Sequence, residues 1–139
     1  MVDADDDDVI IDNAVRVSKI IGSPGYPTPD EQVRADAAES YDRNYHPWGV
    51  ARQFSAILGS GSLLHHDRRI VAPTVVIHGR ADTLMRPFGG RSIARAIQGA
   101  RLVLIDGMGH DLPKDLWDRV IAELASNFAG SGQAHSRPA

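Results

Sequence analysis

In the first half of the chain the apolar positions recur at helical intervals. In "VIIDNAVRVSKII", Ile10, Ile11, Ala14, Val15, Ser18 and Ile21 fall on one face at the i, i+3, i+4 spacing of a helix, and "GSPGYP" then stops it with two glycines and two prolines. "TPDEQVRADAAESY" predicts a second helix, with Thr28 as N-cap, Pro29 at the first helical position and Glu31 closing a capping box. In "HPWGVARQFSAILGSG" the residues Val50, Ala51, Phe54, Ile57 and Leu58 make an apolar stripe, and Gly59 is placed to end that helix in a left-handed conformation. Residues 1 to about 64 therefore read as helical, with no strand.

The period then changes. "PTVVIHG" carries a continuous β-branched run after Pro73, Thr74 to Ile77, and is bounded by Gly79, the pattern of a strand buried on both faces. A short helix, "GGRSIARAIQG", precedes a second such run, "ARLVLIDG", and "KDLWDRVIAELASNF" predicts an amphipathic helix with Leu116, Trp117, Val120, Ile121, Leu124 and Phe128 on one side. The order β, α, β, α implies two parallel, neighbouring strands joined by a right-handed crossover, with helices over the sheet. The expected organisation is a helical segment over residues 1–68, an α/β segment over 69–128 and a small, polar, disordered tail over 129–139.

Composition narrows the class. The chain has 139 residues, 42% of them hydrophobic and 24% charged, enough for one globular domain that buries roughly 68–70% of its unfolded surface. The net charge of -3 and the scattering of its arginines leave no basic surface for a phosphate backbone, so nucleic acid is not an expected partner. The absence of cysteine (Cys 0) removes disulfides, thiolate nucleophiles and Cys-ligated metals together. No apolar run is long enough to span a bilayer, and the acidic start "MVDADDDDVI" is the opposite of a secretion signal, so a cytoplasmic location without membrane attachment is expected. The same acidic run fails as a calcium loop, because counting from Asp3 puts Asp8 where glycine is needed and Ala14 where glutamate is needed. It reads as a solvated start that favours the N-terminus of the first helix.

The candidate chemistry lies beyond the carboxyl ends of the two strands, where loops of a parallel sheet converge. Asp82 follows the first strand in "HGRADTLMRP", and His110 follows the second in "IDGMGHDLP". Parallel neighbours run about 4.8 Å apart, so loops leaving the same edge can bring a carboxylate to an imidazole. Such a pair is the orienting half of a catalytic triad: the carboxylate fixes one ring nitrogen as N–H and leaves the other free to take a proton. Taken singly, Asp82 reads as a turn aspartate accepting backbone N–H groups, and His110 as a loop histidine near a helix start. Asp106 and Asp111 read as structural, Asp111 by its place at the approach to a helix. His65 and His66 in "LLHHDRR" lack a third converging ligand, so no metal site and no cofactor is expected. Trp48 and Phe54 are candidates for lining a substrate entrance.

"APTVVIHGRADTLMRP", followed by "ARLVLIDGMGHDLP" and a final amphipathic helix, resembles the C-terminal part of an α/β-hydrolase, whose triad runs in the order Ser, Asp or Glu, His. Upstream, "IIGSPGYPTPDEQVRADAAESYDRNYHPWGVARQFSAIL" resembles the helical cap of esterases similar to the aclacinomycin methylesterase group. The resemblance covers about residues 8–128. It implies a partial α/β-hydrolase fold in which a cap precedes a β-α-β-α unit, with Asp82 as the acid after the seventh strand and His110 as the base after the eighth. It also implies that a nucleophile and an oxyanion hole belong before the cap, and no GxSxG occurs in these residues. Ser60 and Ser62 follow a helix without a strand-to-helix elbow, Ser92 sits inside a helix and Ser23 lies in a proline turn. Three functional readings follow. The chain is an esterase-like hydrolase fragment that acts on a small-molecule carboxylic ester only if a serine and an oxyanion hole come from elsewhere, a complementing half whose partner chain supplies them, or a non-catalytic remnant or interaction module that pairs or self-associates through an exposed strand edge.

Overall fold

The computed structural model describes residues 4–134, and the side chains of 4–7, 44, 47 and 130–134 are left aside. Element order is α1 (Ala4–Ile21), α2 (Asp30–Asn44), α3 (Pro47–Ser60), α4 (Leu64–Asp67), β1 (Val75–Gly79), α5 (Pro87–Ala96), β2 (Arg101–Ile105), a 3₁₀ turn (Lys114–Leu116) and α6 (Trp117–Ala134). Residues up to Ile20 together with Thr28–Leu63 cluster into one compact unit; Ile21–Pro27 and the residues from Leu64 onward make the other. The seven residues 21–27, which the sequence assigned to the helical segment, thus pack with the strands.

The first unit is helical throughout. α1 and α2 are tied by an ion pair of 2.6 Å between Lys19 and Asp30 and by a second between Arg34 and Asp12. The capping box expected at α2 does not form. The helix begins one residue later than the box requires, Pro29 is its N-cap, no side chain caps it, and the Pro29 carbonyl accepts the N–H of Val33 at 3.0 Å. Asp30 and Glu31 still place negative charge at the positive end of the helix dipole. α3 runs past Gly59 to Ser60, and the left-handed position falls at Gly61 with φ 59°. Its apolar stripe is not a core face: Trp48, Val50, Phe54, Ile57 and Leu58 are all exposed.

The second unit holds the sheet. β1 and β2 are parallel, in the register Val75↔Arg101 through Gly79↔Ile105, which leaves the two strand ends level. α5 packs on both strands and α6 on β1. Pro87 opens α5 at a position whose N–H needs no partner. The core is small: Ile105 is wholly buried, with Ile97 and Leu116 nearly so. A large aliphatic side chain fully withdrawn from water contributes about 1.5–3 kcal/mol, and the half-buried strand residues add to what these three supply. The strands are half-buried rather than buried on both faces, since a sheet of two strands lets solvent reach the side chains along both outer edges.

Only one edge of the apolar stripe of α6, Leu116 and Val120, is covered, and polar residues share that side. Leu116 is buried and Val120, Glu123 and Asn127 are half-buried, whereas Trp117, Ile121, Leu124 and Phe128 are exposed. Polar contacts hold that orientation: Arg101 pairs with Glu123, and the Asn127 amide donates to the Pro73 carbonyl at 3.0 Å. The helix also continues to Ala134, so residues 129–134 are helical instead of tail, there being no proline before Pro138 to interrupt them; residues 135–139 lie outside the described part. Among the described residues no helix is long and apolar enough to cross a membrane.

Candidate functional site

Level strand ends bring two loops together. The turn after β1 is built by Asp82, whose Oδ1 accepts the backbone N–H of Leu84 at 2.9 Å and of Met85 at 2.8 Å. An aspartate bonded to the backbone two and three residues on closes such a turn without help from elsewhere. The same geometry points Oδ2 toward the neighbouring loop, where it accepts Nδ1–H of His110 at 2.9 Å.

The loop after β2 is held from two sides. Toward β1, Arg80 N–H donates to the Ile105 carbonyl and Ala81 N–H to the Met108 carbonyl, both at 2.9 Å. On the other side lies the strap 21–27. His110 N–H donates to the Ile21 carbonyl at 2.8 Å, Gly25 N–H donates to the Gly107 carbonyl at 2.9 Å, and Gly109 N–H donates to Ser23 Oγ at 2.8 Å. Glycine is required twice here. Gly107 has φ 74°, and a Cβ on Gly109 would stand 2.1 Å from the Gly22 carbonyl oxygen.

The electrostatics follow from burial and contact. Only 5% of the Asp82 side chain is exposed against 38% of His110. Burial pushes the Asp82 carboxyl up from its ordinary value of 3.8, but the His110 hydrogen bond, the Met85 N–H, the charge of His110 and the Leu84 N–H together outweigh it and leave the group lowered. Asp82 is therefore an acceptor only, Nδ1 of His110 carries the proton, and in the neutral ring Nε2 presents a lone pair. That is the state in which an imidazole accepts a proton from a third group.

Other residues take less expected places. His78, on β1, lies with Nε2 3.7 Å from Asp82 Oδ2 and donates to the Met85 carbonyl at 2.6 Å, so it walls the carboxylate from solvent and braces the Asp82 turn. Nothing in the sequence reading singled it out; its signal was a lone polar side chain in a β-branched run, four residues before the acid. Ser23 is buried, with 4% of its surface exposed, and donates to Asp111 Oδ1. Asp106 is exposed and pairs with Arg80. Ser60 and Ser92 donate back to the carbonyls of Ala56 and Phe88 within their own helices, at 2.7 and 3.0 Å. His65 and His66 lie ring against ring, 3.7 Å between centroids. Trp48 and Phe54 belong to the other compact unit, where both are exposed on α3.

No protein-family model matches the chain, and no curated protein does. Among solved structures it is similar to the crystal structure of a His-tagged serine hydrolase involved in carbazole degradation, the CarC enzyme, an α/β-hydrolase. The TM-score is 0.60 at 17% identity, over 84% of this chain and 47% of that one, so the chain spans about half the length of the enzyme it matches. With its parallel β-α-β-α unit and the Asp82–His110 pair at the level strand ends, the chain has a partial α/β-hydrolase fold.

Proposed function

We propose that Asp82 and His110 are the acid and general base of a Ser-Asp-His triad, in an esterase-like hydrolase similar to the aclacinomycin methylesterase group and acting on a small carboxylic ester in the cytoplasm. The serine and the oxyanion hole come from residues outside these 139. The observation that carries the reading is the 2.9 Å bond from His110 Nδ1 to an ionised, buried Asp82, with the imidazole itself still open to solvent. In the reaction Nε2 takes the proton of the serine hydroxyl as its oxygen attacks the ester carbonyl. The tetrahedral intermediate then expels the alcohol, which receives that proton, and water repeats the sequence on the acyl-enzyme. The exposed side chains of Leu84, Met85, Phe88, Leu112 and Trp117 suit an apolar acyl or alcohol group.

The test is co-expression with a segment bearing GxSxG, taken from the reading frame that adjoins this one, followed by assay on a p-nitrophenyl ester. The 139-residue chain by itself should not turn over. With the segment, turnover should appear and His110→Ala should reduce kcat by roughly 10⁶-fold, the loss a triad histidine causes elsewhere. Turnover indifferent to His110→Ala would overturn the assignment. A second reading, a non-catalytic module that pairs through its sheet edge, draws on the fact that among the described residues β1 and β2 pair only with each other. That reading predicts concentration-dependent self-association in gel filtration and no turnover with any added segment.

A further inference from the structure

We infer that Ser23 is a positioning residue for His110, acting through a hydroxyl clasp that fixes the backbone on both sides of the histidine. Ser23 Oγ accepts the buried N–H of Gly109 at 2.8 Å and donates to the carboxylate of Asp111, the residues immediately before and after His110. His110 N–H itself goes to Ile21, two residues from Ser23 along the same strap. Three successive residues of the loop are thus bound to the three-residue stretch 21–23, while Asp82 holds the ring. Without the hydroxyl, Gly109 and Asp111 lose their ties to the strap while the bonds of Gly107, Met108 and the His110 N–H remain, so the backbone on either side of the histidine is held less firmly.

The chemistry demands a hydroxyl. The site faces an N–H on one side and a carboxylate on the other, so one atom must accept and donate at once, which a serine or threonine oxygen does and an alanine methyl does not. The same bonds exclude Ser23 as the missing nucleophile. Its proton is committed to Asp111 rather than to His110, and its position in a proline turn is nearly closed to solvent. Sequence spacing hid the pairing, because Ser23 and Asp111 stand 88 residues apart.

The catalytic meaning of the clasp rests on His110 being the base, but its test does not. In the 139-residue chain labelled at histidine, the Nδ1 proton bound to Asp82 should give a far-downfield, slowly exchanging resonance. Ser23→Ala should speed its exchange roughly tenfold or more, of the order that one lost hydrogen bond allows, with far-ultraviolet circular dichroism unchanged. Ser23→Thr should restore the wild-type rate. Asp111→Ala should reproduce the loss, and the double variant should be no worse than either single one, since both break one unit. Should Ser23→Ala not fold, Asp111→Ala, which keeps the hydroxyl on Gly109, decides alone. A wild-type exchange rate in folded Ser23→Ala or in Asp111→Ala, or a folded Ser23→Thr that behaves as alanine does, would overturn the inference. If the clasp passes and complementation yields no turnover, the function proposal fails and the clasp stands; if turnover depends on His110 but not on Ser23, the reverse holds.

Discussion

The carboxylate of Asp82 divides its oxygens between two tasks, Oδ1 closing the turn through Leu84 and Met85 and Oδ2 holding His110. The bland reading of a turn aspartate and the sharp reading of a triad acid are thus both true of one residue. Asp82→Ala strands two backbone N–H groups and an imidazole N–H, and should destabilise the second unit by about 1–3 kcal/mol in urea unfolding. Asp82→Asn keeps an acceptor for the turn and should cost less stability, yet lower any complemented kcat by roughly 10⁴-fold through the wrong histidine tautomer. Because the folded carboxyl is lowered from 3.8, its stabilisation is present above that pH and is lost as the pH falls through the lowered value. The difference in unfolding free energy between wild type and Asp82→Asn, measured across acid pH, should therefore be flat near neutrality and shrink only below about 4.

At the scale of elements, the loop 107–111 is defined by its neighbours more than by its own residues. "IDGMGHDLP" announces a tight turn through its glycines, but the reason Gly109 must be glycine is the Gly22 carbonyl, which arrives from a strap 87 residues upstream. Gly109→Ala would force two backbones apart and should cost about 1–3 kcal/mol or more, together with loss of the His110 Nδ1–H resonance; wild-type stability and spectrum would contradict the close approach. The strand and helix assignments from periodicity located β1, α5, β2 and α6, since β-branched runs and 3.6-residue periods act locally; they missed the single turn of α4 (Leu64–Asp67), too short to show a period. Helix ends were less legible. Thr28 and Glu31 fit a capping box on paper, but the chain enters α2 through Pro29, and Gly61 rather than Gly59 meets the left-handed turn.

In the whole molecule, large apolar side chains on α3 and along one side of α6 stand in solvent, while a few residues carry the core. Leu116→Ala should cost about 2–5 kcal/mol, whereas Ile121→Glu, on the same amphipathic stripe but 60% exposed, should change stability by no more than about 0.5 kcal/mol; thermal unfolding of the two variants compares these faces directly. Sequence by itself determined the helical first half, the two parallel strands with their intervening helix, and the candidacy of Asp82 and His110, because hydrophobic period and strand-end position are local properties. Tertiary structure alone decided that the pair closes to 2.9 Å, that His78 walls it and Ser23 clasps it, and which side of α6 is covered. The Asp82–His110, Ser23 and α6 outcomes depend on groups tens of residues apart meeting in space, which spacing along the chain does not encode; His78 stands only four residues before Asp82, but what it faces is set by how the turn after β1 folds back.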